Sequence, residues 1–393
     1  MSYPPPIKAC DRRDSWAYDT VARRLSEICL KIILENEFSP EIVSNLEKLA
    51  AEIPQGTIRY LLDTNSRDAT DWHNYIQPYL GQSWLEVPWF FAETYFYRRI
   101  IEAIDYFRLQ IDPYLLQKKL GLERSHSSIQ VLSQKLNRSL KDVDRVQTIA
   151  LIHASLWGNR VDLSLWPAEH GDRSISESEQ EKHRILADDS DRTVDLLQKR
   201  GDRVDFIVDN AGFELFCDLC FADFLLTSGL SQQVFIHGKS HPTFVSDAMV
   251  KDAIDTVNYL KNHSDLEIKM VGDRLQGHLD RDRLSLRHHF FWTSPLAWWE
   301  MPSDLRKNLA NSNLVIVKGD ANYRRLLGDR YWSFTTPFSE IIGDFPTSIL
   351  ALRTMKAELA CGLQPGQAEW LQKEDPKWMT NGQRGVIQLS VKA

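Results

Sequence analysis

Residues 203–226 read RVDFIVDNAGFELFCDLCFADFLL. The segment RVDFIV is short, apolar and β-branched, as a buried strand is, while ELFCDLCFADFLL repeats its apolar residues at helical spacing. DNAG, residues 209–212, hands one to the other, so a strand passes almost directly into a helix. Similar short runs follow downstream: QVFIHG at 233–238, LEIKMVG at 266–272, NLVIVKG at 313–319 and GVIQLSV at 385–391. Read as strands separated by helical stretches, they predict a mostly parallel sheet with crossover helices.

Upstream the texture differs. WAYDTVARRLSEICLKIILEN, IVSNLEKLAAEI, FFAETYFYRRIIEAIDYF and VLSQKLNRSLKDVDRVQTIALIHASLW keep the three- and four-residue apolar spacing of helices from Ser15 to about Leu165. PAEHGDRSISESEQEKHR, residues 167–184, is polar and aperiodic and reads as an exposed connection. The expected organisation is a helical N-terminal domain over residues 1–190 and an α/β catalytic domain over 191–393.

In a parallel sheet of this kind, ligands sit beyond the carboxyl ends of the strands. The residues that follow the strands are therefore the ones to weigh. Asp209 and Asn210 follow DFIV, Asp247 closes KSHPTFVSD after QVFIHG, and Lys318, Gly319 and Asp320 follow NLVIV. Two carboxylates and an amide carbonyl suit a hard divalent cation that keeps some of its waters, and a nearby lysine suits a phosphate. Asp and Asn are also favoured helix N-caps, and a lone Asp-Asn after a strand is more often a cap than a ligand, so the same residues also read as helix punctuation.

Composition narrows the partners. The 393 residues carry 47 Lys and Arg against 54 Asp and Glu, a formal net charge of −7, which gives no basic field for nucleic acid or anionic lipid. No apolar run approaches the roughly 18 residues of a membrane span, and the N-terminus has no signal-like apolar core, so a soluble cytoplasmic protein is expected. Five scattered cysteines do not suit a disulfide framework, and Cys217 and Cys220 fall inside a helical run as small buried side chains. Gly238-Lys239-Ser240 resembles the end of a P-loop, but the required earlier glycine is Gln233. No two of the 18 glycines are two apart, which removes the G-x-G of dinucleotide and common S-adenosylmethionine sites. His288 and His289, in an aromatic cluster, read as packed or rim residues.

DNAGFELFCDL, HPTFVSD, KGDANYRRLLGD and LRTMKAEL, with PWFFAETYFYRRI and SLWGNRVDLSLW upstream, together resemble the metal-dependent damage-control phosphatase family, which includes proteins named acidic residue methyltransferases. The resemblance runs from about Ser15 to Leu359, and RTMK at 353–356 matches the RTxK signature of one subfamily. It implies an α/β/α sandwich with a mostly parallel, Rossmann-like sheet beside a helical N-terminal region. It also implies one divalent metal, Mg²⁺, Mn²⁺, Co²⁺ or Ni²⁺, on Asp209, Asn210 and Asp247, with Glu93, Asn159, Lys318, Asp320, Arg353 and Lys356 around the substrate.

The expected activity is hydrolysis of a small phosphorylated metabolite, sugar phosphates first, with Asp209, Asp247, Asp320 and Lys318 as catalytic candidates. The alternative attached to the family is S-adenosylmethionine-dependent methylation of protein carboxylates. A non-catalytic binding module is the second rival, opposed by the intact set of metal-type residues. Oligomeric state is not legible.

Overall fold

The computed structural model describes residues 3–158 and 184–392; the predicted connection at 167–184 lies outside them except for its last residue. Seven strands form one sheet in the order β1-β7-β6-β5-β2-β3-β4. They are β1 (Ile185–Asp188), β2 (Gly201–Ile207), β3 (Ser231–Gly238), β4 (Leu284–His288), β5 (Leu314–Lys318), β6 (Ile349–Thr354) and β7 (Gly385–Ser390). Neighbours are parallel except β6 and β7, which run antiparallel. The expected α/β architecture with a mostly parallel sheet is therefore present.

From β2 the chain winds outward through β3 to β4, then returns to the other side of β2 for β5 and β6. The reversal lies between β2 and β5. At such a switch point the two crossover helices leave the sheet in opposite directions and open a crevice beyond the strand ends.

Alternation along β2 serves both faces. Val204, Phe206 and Val208 join one apolar core and Ile207 the other. The first core takes in the helices α5 (Arg145–Trp157) and α6 (Phe213–Thr227) together with α4 (His126–Ser139). The second takes in α1 (Leu25–Glu35), α2 (Pro40–Glu52) and α3 (Trp89–Ala103). Helices of the N-terminal half thus cover both faces of the sheet, and β1, within residues 1–190, pairs with β7.

One element was misread from its sequence. LEIKMVG lies in a helix, Leu266–Asp280, not in a strand. Its local alternation imitates a strand, but Asp265 caps the start by accepting from the Glu267 and Ile268 amides at 2.9 and 3.2 Å, and Ile268, Val271 and Leu275 face the core at helical spacing. Gly272 makes the close helix pairing possible, because a Cβ there would meet the Lys261 amide at 2.4 Å. The fourth strand is instead LSLRH, 284–288, an edge strand whose last residues are exposed and polar.

Candidate active site at the carboxyl edge of the sheet

Backbone hydrogen bonds zip the loop after β2 to the loop after β3. The Ala248 amide donates to the Asp209 carbonyl and the Ala211 amide to the Ser246 carbonyl, each at 2.7 Å. This pairing sets Asp209 and Asn210 beside Asp247. None of them caps a helix. The helix Phe213–Thr227 begins behind Gly212 without a side-chain cap, and the helix Val250–Lys261 is capped at Met249 by the Asp252 carboxylate. The punctuation reading fails on geometry, which leaves two buried carboxylates and an amide converging with no helix end to satisfy.

The electrostatics fit a cation at this point. Burial, then the charges of Asp247 and Glu214, push the Asp209 carboxyl well above its ordinary range. Burial pushes Asp247 up to about 6 against the opposing pull of Lys239. Lys239 Nζ stands 3.2 Å from Asp247 Oδ2, an ion pair by distance, yet that buried oxygen has no aligned hydrogen bond. Among the described residues no three His, Cys, Asp or Glu side chains form a cage. The donor set here is two carboxylates and one amide, which suits an open Mg²⁺-type site rather than a closed structural one.

Gly319 completes the cradle. It follows β5 with φ +81° and ψ 176°, a conformation essentially restricted to glycine, and a Cβ there would fall 2.0 Å from the Asp209 carboxylate. The switch point thus packs bare backbone from one strand end against the carboxylate of the next.

Asp209, Asn210 and Asp247 line a cavity of about 250 Å³ together with Glu93, Asp320 and Lys356. Lys356 has no ion pair among the described residues, and its charge bears on Asp209. Glu93 is held by the buried Arg324, which also pairs with Asp329 at 2.8 Å and stacks 3.6 Å over Trp89. Asn159 lies outside the described residues.

Two expected substrate contacts belong elsewhere. Lys318 is fully buried, with Nζ on the Ser155 carbonyl, 3.0 Å from Glu214 and 3.3 Å from Asp218. Its charge is committed to those acids and it is absent from the cavity wall, so the phosphate-neutralising role read from its position after β5 is corrected to a supporting one. Glu214 in turn accepts from Asn210 Nδ2 at 2.8 Å, and Asn210 also donates to Asp209 at 2.8 Å. Those two acceptors fix the amide orientation, and Oδ1 accepts from Ser246 Oγ at 2.5 Å. Arg353, also fully buried, binds Asp320 Oδ1 at 2.8 Å and the carbonyls of Leu359 and Ala357. It holds the loop after β6 and is absent from the cavity wall, so the place around the substrate expected for it is corrected to a supporting one.

The sequence reading missed Trp16, Arg24, Trp89, Phe244 and the Asn381-Gly382 turn, which also line the cavity. Trp16 and Arg24 sit in an ordinary-looking amphipathic run, and nothing local marks them. Asn381-Gly382 carries a turn signal without a ligand type. Lys239 lay in plain view in the rejected GKS.

The chain matches the family described as Damage-control phosphatase ARMT1-like domain over residues 18–371. It is similar to the Damage-control phosphatase ARMT1 of Bos taurus, 36% identical over 410 residues covering 95% of this chain and 92% of that protein. The Danio rerio protein of the same name is 34% identical over 436 residues, covering 98% and 97%. A solved DUF89 family protein from Pyrococcus horikoshii aligns at 15% identity with a TM-score of 0.49, covering 94% of this chain and 96% of that one. The relatives' names give the carboxyl methyltransferase alternative no support.

Proposed function

This chain belongs to the damage-control phosphatase ARMT1-like family, and from that premise we propose that it is a metal-dependent phosphatase hydrolysing phosphomonoesters of small metabolites, sugar phosphates first. The observation that carries the reading is the convergence of Asp209, Asn210 and Asp247 at the switch-point crevice, in one cavity with Lys356, which has no ion pair among the described residues.

Asp209, Asn210 and Asp247 would hold one divalent cation. Bound there, it would supply Lewis-acid polarisation of a phosphoryl oxygen and a more acidic water. Lys356 binds the phosphate as a point charge, and its backbone amide, 3.3 Å from Asp320 Oδ1, ties its loop to that carboxylate. Asp320, oriented by Arg353, directs the attacking water in line with the leaving oxygen. Glu93, fixed by Arg324, accepts a hydroxyl of the organic part. Trp16, Trp89 and Phe244 present apolar faces that exclude bulk water and suit a sugar ring.

Phosphate release from a panel of sugar phosphates and nucleotides, with Mg²⁺, Mn²⁺, Co²⁺ and Ni²⁺ before and after chelation, tests the proposal. Release that chelation abolishes and metal restores is expected. Silence across the panel, or release indifferent to chelation, would overturn it. Among the described residues no helix is long and apolar enough to cross a membrane.

A further inference from the structure

A second cavity, of about 220 Å³, adjoins the first and shares Arg24 with it. It runs along α1, into which Arg24 leads, past Ile28, Lys31 and Ile32, whose spacing from Arg24 puts all four on one face, and Tyr114 also lines it. A two-residue turn stands at the boundary. Phe244 lines the first cavity and Val245 the second, and both have positive φ, 46° and 68°. For a β-branched residue that conformation is an outlier which the surrounding structure must impose. Phe244 packs against Tyr97 at 4.9 Å, and Tyr97 against Tyr114 at 6.5 Å, so the turn is braced by aromatic rings.

The polar groups of this second cavity are unevenly matched. The Arg24 guanidinium makes no ion pair among the described residues and lies 5.7 Å over Trp16. Lys31 has only a loose pair, 3.6 Å from Glu35, and its side chain is 58% exposed. Tyr114 is part of the wall, with its hydroxyl fully buried and without a hydrogen-bond partner among the described residues. The carboxylate in the wall, Glu27, is already neutralised by Arg23 at 2.9 and 3.1 Å. Arg24 and Lys31 therefore set two cations in the wall of the cavity against one satisfied acid.

We propose that this cavity is a distal subsite for a second anionic group, phosphate or carboxylate, carried at the far end of the phosphomonoester. Arg24 is the shared cation between the two ends, and Lys31, about 10 Å further along the helix, marks the outer limit. The proposal rests on the phosphatase reading and selects, within it, substrates with two charged ends.

The test compares a hexose bisphosphate with a hexose monophosphate in wild type and Lys31→Gln. Wild type is expected to favour the bisphosphate in kcat/KM by about tenfold or more, and the variant to cut that preference severalfold. The substitution should not lower thermal stability, since the Lys31 side chain is exposed. An absent preference, or one unchanged in the variant, would overturn the subsite. Calorimetric titration of the same two ligands under chelation separates the subsite from the chemistry. Lys31-dependent binding of the bisphosphate under chelation, with no hydrolysis of either ester under saturating metal, would support the subsite and sink the phosphatase reading. Binding of neither ligand, or binding of both with equal affinity in both proteins, would overturn the subsite itself.

Discussion

Gly319→Ala is the smallest change that tests whether the Asp209 carboxylate is held in place by its neighbours. The new Cβ would lie 2.0 Å from both Asp209 Cγ and Oδ2, whereas ordinary contact begins at 3.4 Å, so the carboxylate or the loop must move by at least about 1.4 Å. The backbone resists as well, because φ +81° in this region costs a residue with a Cβ about 1–3 kcal/mol. A displacement near 1 Å at a reacting group is enough to cost about 10²-fold in rate. The expected result is a fall in kcat/KM of about a hundredfold or more and weaker divalent-metal binding, alongside a loss of stability of only about 1–3 kcal/mol. Calorimetric metal titration, phosphate release under saturating metal, and urea unfolding of the metal-free protein measure the three quantities. An alanine variant with wild-type metal affinity and turnover would refute the placement of Asp209 at the reaction centre, whatever its stability.

Four further outcomes are expected. Asp209→Asn should abolish metal-dependent activity while leaving the metal-free protein as stable or more so, because it removes one of two mutually repelling buried acids; comparable turnover in variant and wild type would contradict the ligand role. Lys318→Met should destabilise the fold by about 3–5 kcal/mol, since Glu214 and Asp218 lose their counter-charge; a variant with native stability and only a raised KM would restore the lysine to the phosphate. Lys356→Ala should raise KM severalfold at nearly native melting temperature, and an unchanged KM would remove it from the phosphate site. For pH, Asp247 titrates near 6 when folded, above its ordinary range near 3.9, so its neutral form favours folding. That contribution is complete below about pH 4 and is lost as pH rises through 6. Under chelation, wild type should therefore lose stability relative to Asp247→Asn between pH 5 and about 7, and a gain over that interval would reverse the sign assigned to the pair.

Much of this molecule was legible in its one-dimensional pattern. The strands β2, β3, β5 and β7 announce themselves as short apolar runs, and the helical half by its apolar spacing, because burial on both sides of a sheet or on one stripe of a helix is written residue by residue. Asp209, Asn210, Asp247 and Asp320 were visible for a related reason, since residues after parallel strands share one edge whatever the rest of the chain does. Asp265 overrode the strand-like alternation of LEIKMVG by capping a helix, a choice that depended on a core beneath Ile268 and Val271.

What a charge does was not legible at all. Lys318 ends one strand and Lys356 follows its neighbour at the same edge, yet one is consumed by Glu214 and Asp218 while the other lines the cavity with no ion pair among the described residues. Arg24 and Trp16, some two hundred residues from Asp209, reach the site only because the N-terminal helices pack over the sheet edge. Sequence spacing determines which residues share a face of one element. Which charges find partners, and which are left for a ligand, depends on long-range packing and desolvation, and only the tertiary structure decides that.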